Sequence, residues 1–378
     1  MQDNPPQILI LGGTGKVGKT VCDYLLKNTL CQLNIVTRNT KPDLTEYADY
    51  SGRLTALNFD ALNKEQLSQH CKEADLVISC IGPSQVIGST IVDICYRTVT
   101  PYIDAGGYDP LLKHLANLVA TEPAKVPLII NAGLLPGLSG VYPKYLIDQY
   151  ASNETITSLE VSYVGRDAWS YNSAWDIIVG LGDFGEDRGF CYIADKQLIK
   201  VPFYKATQKK VFPAPIGKVG TMLIYSEELR RLINQYQIPN LKVYGANIGA
   251  KAAFSCAISK IFGQYKTPEK LAKAAKRLAS ASAKDMLKSD PIYAIQAEIQ
   301  LANGQQITGS LLTGDTYYAT GTVIAITAKY LLENTIAAGA YSLHEAIPSE
   351  VIIEQLQAQQ IIQLITTTND SLKRSEAI

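Results

Sequence analysis

The residues whose spacing carries the most chemistry stand near the start of the chain. Gly13-Thr14-Gly15-Lys16-Val17-Gly18 follows a short apolar run, Gln7 to Leu11, and opens a stretch that reads as helical to Leu30. A buried strand, a glycine turn and a helix are what a dinucleotide pyrophosphate needs. Gly13 permits a tight turn, Gly15 lets the backbone approach the phosphates, and Gly18 lets helix and strand pack closely. The free N–H groups and positive dipole end of the helix then face the anion. Glycine makes up 27 of 378 residues, so the motif draws its weight from its setting between strand and helix.

The second apolar run, Leu33 to Thr37, leads into Arg38-Asn39-Thr40-Lys41. Folds selective for NAD carry a carboxylate there, which accepts from the ribose 2′-OH. Arg38, with Asn39 and Lys41 close behind, suits a 2′-phosphate instead. The expected cofactor is therefore NADP(H); the alternative reading of Arg38 is a solvated loop charge. Asp60, which ends the third strand, is expected on the same rim of the cofactor site.

Hydride transfer also needs a proton donor and exclusion of water. Ligands of doubly wound sheets bind at the carboxyl ends of the strands. Cys80, Gly82 and Pro83 follow the fourth strand and are expected along the ribose; Asp104 and Tyr108 follow the fifth, and Gly133 the sixth. Asp104 and Tyr108 are the first candidates for the proton donor, with Tyr171 behind them. Capping of the next turn is the alternative role of Asp104. Between Tyr163 and Ser173 the chain places Arg166, Asp167, Trp169 and Tyr171 close together. Such a loop can hold an aromatic or heterocyclic substrate, Arg166 taking a carboxylate or a phosphopantetheine arm. An ordinary turn ion pair between Arg166 and Asp167 is the competing reading.

Composition narrows the function classes. Basic and acidic residues balance at 35 each, which gives no electrostatic footprint for nucleic acid or a membrane surface. No apolar run approaches the roughly 18 residues of a membrane span, and no basic-then-apolar leader opens the chain. The expectation is a soluble, cytoplasmic protein. The seven cysteines include no C-x-x-C, and most lie in apolar runs, so they read as reduced and buried. The three histidines stand far apart, so no metal site and no histidine triad is expected.

Around these residues the chain divides into elements. Residues 1–133 alternate strand and helix over six strands, which implies a parallel, doubly wound Rossmann sheet. From about residue 155 the pattern changes. Leu159, Val161 and Tyr163 alternate with polar residues, as do Tyr293, Ile295, Ala297, Ile299 and Leu301 before Asn303-Gly304, a type I′ hairpin signal. Residues 134–320 therefore read as an α+β domain on an antiparallel sheet, for substrate and dimerisation. Residues 321–378 read as a helical segment packing back on the first domain. Gly180 to Gly185 reads as a lid or turn.

Four segments resemble the saccharopine dehydrogenase-like oxidoreductases: Gly12 to Gly18, Ser79 to Pro83, Tyr102 to Gly107, and Asn131 to Ser139. Tyr317 to Gly321 is similar to the family's return to its first domain, and Ala346-Ile347-Pro348-Ser349 is a looser match. The resemblance covers residues 7–150 and 315–350; the middle, which sets the substrate, matches poorly. It implies nicotinamide chemistry at a C=N or activated C=C bond. One branch reduces thiazolines on carrier-tethered siderophore intermediates, and the length, the two-domain plan and the Tyr-rich middle are similar to it. The resemblance thus implies an NADPH-dependent imine reductase. A saccharopine- or opine-type amino-acid dehydrogenase stays open, for which Arg166, Arg188, Lys205, Lys209 and Lys210 offer cations. A trans-acting enoyl reductase and a catalytically silent NADP-binding adaptor also stay open. The substrate is expected near the carboxyl edge of the first sheet and the loop 163–173, and a homodimer is the default assembly.

Overall fold

The computed structural model describes residues 4–38, 42–50, 52–106, 109–182 and 189–369. The first part of the chain runs β1 (Gln7–Leu11), α1 (Lys16–Asn28), β2 (Gln32–Thr37), β3 (Leu54–Asn58), α2 (Lys64–Glu73), β4 (Leu76–Ser79), α3 (Ser84–Ile87), α4 (Thr90–Thr98), β5 (Tyr102–Asp104), α5 (Asp109–Thr121), β6 (Pro127–Ile130) and α6 (Leu138–Tyr150). The middle adds β7 (Ile156–Arg166), α7 (Tyr171–Gly180), β8 (Cys191–Ala194), β9 (Gln197–Lys200), α8 (Phe203–Ala206), β10 (Thr207–Phe212), β11 (Gly217–Leu223), α9 (Glu227–Gln235), β12 (Asn240–Asn247), α10 (Ala250–Ile261), α11 (Pro268–Asp285), β13 (Ile292–Leu301) and β14 (Gln306–Thr313). The end of the chain adds α12 (Thr316–Glu333), β15 (Gly339–Ser342), α13 (Leu343–Ala346), α14 (Ser349–Ala358) and β16 (Ile362–Asn369).

Two compact units result: Met1–Leu138 with Tyr317–Leu356, and Ser139–Thr316 with Gln357–Ile378. In the first, seven strands among the described residues form one sheet in the order β15-β6-β5-β4-β1-β2-β3, every pair parallel. This is the doubly wound sheet expected, with its switch point between β1 and β4. The strands are continuous apolar runs because helices cover both faces. Leu9, Leu11, Val36 and Val77 pack with Leu67, Ile91, Cys95, Leu111 and Leu115 from α2, α4 and α5. Alternation turns Ile8, Ile10 and Ile35 to the opposite face. Asn63 accepts from the Gln66 N–H and caps α2. Between β4 and β5 the chain forms two helices, α3 and α4, separated at Gly88, which takes φ +58°.

The second unit is built on a nine-stranded sheet among the described residues, with β10-β11-β12-β7-β13-β14-β16 in line and the β8–β9 hairpin attached through β12. Its pairs are antiparallel except β12 with β7, so the sheet is mixed. Three helices of this unit pack together through Ala174, Ile178, Ala252, Leu271, Ala274 and Leu278. Two turn assignments change. At 302–305 only Gly304 takes positive φ, and Leu301 N–H bonds the Gln305 carbonyl, so the hairpin closes with a bulge-type loop and not a type I′ turn. The pair of positive φ angles that defines type I′ falls at Asp195-Lys196, between β8 and β9. The chain's end also differs from the helical reading: Ile362–Asn369 is a strand on β14, in keeping with its β-branched run.

Candidate cofactor and substrate site

The glycine loop joins β1 to α1 and takes its shape from packing on each side. The left-handed residue is Gly12, at φ +82°, so Gly12 and not Gly13 makes the tight turn. Gly13 is required for space, since a Cβ there would stand 2.6 Å from Ile35 Cγ2. A Cβ on Gly18 would fall 2.3 Å from the Gly12 oxygen, which fixes the close approach of α1 to the loop. Gly15 is different. Its backbone is extended, at φ −77° and ψ 168°, and a Cβ there would meet only the Gly12 oxygen, at 3.3 Å. The loop therefore opens outward at Gly15. Thr14, Gly15 and Lys16 are exposed, no side chain caps α1, and its first turn carries no acid. An uncapped helix end beside an open backbone face leaves N–H groups available to an anion. These residues fit a dinucleotide: Gly13 to Gly18 would hold the pyrophosphate, with Val17 half-buried behind it.

Arg38 lies one residue beyond the end of β2 and is exposed, where a guanidinium can meet a 2′-phosphate. Asn39 and Lys41 lie outside the described residues. Asp60 is exposed and its Oδ1 accepts from the Leu62 N–H at 3.0 Å, so it shapes the turn after β3. Asn58 braces this rim by donating to the Thr37 carbonyl at 3.1 Å.

At the carboxyl ends of the central strands, Cys80 N–H bonds the Leu11 carbonyl, and desolvation pushes the Cys80 thiol well above its ordinary pKa, which keeps it inert. Gly82 and Pro83 follow, and Pro83 sits at the N-cap of α3. Asp104 is buried and both its oxygens are engaged. Oδ1 accepts from the Gly106 N–H at 2.9 Å and Oδ2 from the Tyr102 hydroxyl at 2.5 Å. Burial pushes the Asp104 carboxyl up, against the pull of those two donors, and pushes the Tyr102 phenol far up. The one sequence signal for Tyr102 as the partner of Asp104 is its spacing: it stands two residues before Asp104 on one strand, hence on the same face. Gly133 follows β6; its N–H bonds the Pro136 carbonyl, and Ala132 N–H bonds the Asp104 carbonyl. Tyr108 lies outside the described residues.

In the second unit, Arg166 and Asp167 do not pair. Neighbours on an extended strand point to opposite sides. Arg166 Nε donates to the Asp290 carbonyl at 3.0 Å. Asp167 is buried and caps α12: Oδ2 accepts from the Thr316 N–H at 2.9 Å and its hydroxyl at 2.5 Å, and Oδ1 accepts from the Ala168 N–H. Trp169 packs against the three-helix cluster, and its backbone N–H donates to Ser282 Oγ at 3.0 Å. Ser170 caps α7 by accepting from the Ser173 N–H. Tyr171, the first residue of α7, is 38% exposed and stands edge-on to Trp175, 5.9 Å between ring centroids. Of this loop, Arg166, Trp169 and Tyr171 keep surface to offer a ligand, while Asp167 serves the local fold. Gly182 ends α7's turn; 183–188, with Arg188, lie outside the described residues.

Among the described residues no group of three His, Cys, Asp or Glu side chains could hold a metal ion, and no helix is long and apolar enough to cross a membrane. Residues 8–126 match the family model described as the saccharopine dehydrogenase NADP binding domain. A saccharopine dehydrogenase-like oxidoreductase of Rattus norvegicus is 24% identical over 266 residues, 64% of this chain and 57% of that protein. A probable mitochondrial saccharopine dehydrogenase-like oxidoreductase of Arabidopsis thaliana is 25% identical over 140 residues, 33% of this chain and 31% of that protein. The matches thus span about a third and somewhat over half of these relatives' lengths. Apo saccharopine dehydrogenase (L-Glu forming) from Saccharomyces cerevisiae shares the fold, with a TM-score of 0.65 at 18% identity over 96% of this chain and 99% of that one. Residues 8–126 are therefore an NADP(H)-binding domain of the saccharopine dehydrogenase type, carried on the saccharopine dehydrogenase fold.

Proposed function

We propose that this chain is an NADPH-dependent oxidoreductase that reduces a C=N bond, with a thiazoline on a carrier-tethered siderophore intermediate as its substrate. The observation that carries the oxidoreductase reading is the open phosphate cradle at Gly15 within a domain of the saccharopine dehydrogenase NADP-binding type. Relatives described as saccharopine dehydrogenase-like oxidoreductases support it. The imine substrate rests on the sequence resemblance. NADPH, when bound, supplies the hydride. The chain's own residues bind the pyrophosphate at Gly13 to Gly18, grip the 2′-phosphate through Arg38, and must place a proton on the substrate nitrogen. The candidate donors are Asp104, whose oxygens accept from the Tyr102 hydroxyl and the Gly106 N–H, and Tyr108, with Tyr171 behind them. The protein is taken to act as a homodimer, which sedimentation velocity tests.

A saccharopine- or opine-type amino-acid dehydrogenase is the second reading, favoured by the fold shared with the yeast saccharopine dehydrogenase. It requires cations free to grip several carboxylates. One of those considered, Lys210, is already clasped between Glu160 and Glu298, at 2.6 Å from the latter. The test is NADPH consumption with a thiazoline thioester analogue, an enoyl thioester, and keto acids paired with lysine or other amines. Turnover on the thiazoline supports the imine reading. Turnover only on keto acid and amine moves the assignment to the amino-acid dehydrogenases, and only on the enoyl thioester to the enoyl reductases. Silence on all of them leaves an NADP-binding adaptor.

A further inference from the structure

The glycine loop has a neighbour from far along the sequence. Tyr317, in the first turn of α12, receives the Lys16 ammonium 4.5 Å from its ring centroid. One turn further, Gly321 lies against α1: a Cβ there would stand 2.5 Å from Thr20 Cβ and 2.8 Å from the Val17 oxygen. Thr320 Cγ2 would be 3.3 Å from a Cβ on Gly133, at the end of β6. Lys16, Gly133, Tyr317, Thr320 and Gly321 all belong to the first unit. The start of α12 thus touches both the phosphate end of α1 and the carboxyl end of β6.

The positive end of α12 is not itself free for an anion, because the Asp167 carboxylate already accepts from Thr316. The Lys16–Tyr317 pair is the feature that points to the ligand. Lys16 is the cation within the phosphate loop, and a lysine loses much rotamer freedom when it binds an anion. The half-buried Tyr317 ring holds that ammonium over its negative face before any phosphate arrives. We infer that Tyr317 is a cofactor-site residue whose ring preorganises Lys16 for the NADP(H) phosphates. The tail of the first unit, reached only after the chain has built the second, then completes a site begun at the N-terminus. This deepens the NADP(H)-binding assignment and rests on it.

The test is the NADPH dissociation constant, by fluorescence titration, for Lys16→Met, Tyr317→Phe, Tyr317→Leu and the Lys16→Met/Tyr317→Leu pair, each with a thermal melt. Lys16→Met weakens NADPH about tenfold, the low end for one charge-assisted bond. Tyr317→Leu weakens it about two- to fivefold, the scale of an exposed cation–ring contact. Tyr317→Phe binds normally, and Tyr317→Leu adds nothing once Lys16 is Met. Normal or tighter binding by Tyr317→Leu overturns the inference, as does an undiminished effect in the Lys16→Met background. Should Tyr317→Leu not fold, ring-fluorinated phenylalanine at position 317 keeps the shape and drains the ring face. Its affinity should fall below that of Tyr317→Phe, and equality overturns the inference. Gly15→Val separates the two levels. If it too binds NADPH normally, the cofactor site itself is misplaced; if it abolishes binding while Tyr317→Leu is neutral, only the role of Tyr317 fails.

Discussion

Two glycines three residues apart should answer differently to the same kind of substitution. At Gly15 the backbone is extended, a conformation open to valine, and the new Cβ meets only the Gly12 oxygen at 3.3 Å. The cost to the fold is the loss of a good N-cap plus a small shift of that carbonyl, about 1 kcal/mol. The isopropyl group then fills the face through which phosphate must reach the loop N–H groups. Blocking two such bonds, at about 1.5 kcal/mol each for a charged acceptor, weakens NADPH by at least about a hundredfold. At Gly18 the geometry is reversed. An alanine Cβ would stand 2.3 Å from the Gly12 oxygen and 2.7 Å from Gly13 Cα, both backbone atoms of a turn that cannot yield. Gly18→Ala should therefore cost about 3 kcal/mol of stability. The assays are urea unfolding for both variants and NADPH titration for Gly15→Val. A stable Gly15→Val that binds NADPH like the parent would refute the cradle. A fully stable Gly18→Ala would refute the packing argument for α1.

Three further outcomes follow from the same geometry. Arg38→Asp should weaken NADPH by about 1.5–3 kcal/mol and improve NADH relative to it; equal NADPH and NADH affinities in the unmodified protein would defeat this. Asp104 holds its proton more tightly folded than unfolded, so its stabilising contribution is full at low pH and is lost as pH rises through its elevated folded pKa. Asp104→Asn should therefore gain stability relative to the parent on raising pH above the ordinary aspartate range, and a constant difference between the two would contradict it. Asp167→Ala removes the cap of α12 and strands a buried N–H and hydroxyl of Thr316, so unfolding should come about 2–3 kcal/mol sooner, whereas a loss under about 0.5 kcal/mol would show the cap to be idle.

Sequence made the first unit legible because its signals are local. Continuous apolar strands, a glycine turn and capped helices each act within a few residues, and the parallel sheet follows from their alternation. What escaped was set by contacts from elsewhere. The space at Gly12 and Gly13 is closed by Ile81, in the segment after β4, and by Ile35 of β2, neither of them local in sequence. The seventh strand, Gly339–Ser342, has weak strand character of its own and forms by pairing with β6. Asp167 reads as a ligand group because its partner, Thr316, lies more than a hundred residues away. Asp104 was legible as the end of β5, but its partner Tyr102 hid inside an apolar-looking strand.

The most direct test follows the hydride. The protein is given NADPH deuterated at C4, on one face and then on the other, with a thiazoline thioester analogue, and the product is weighed by mass spectrometry. One of the two labelled cofactors should yield a thiazolidine carrying one deuterium, and the Gly15→Val variant should yield no product. Product without deuterium from either cofactor, or none with any imine while NADPH binds, would contradict it.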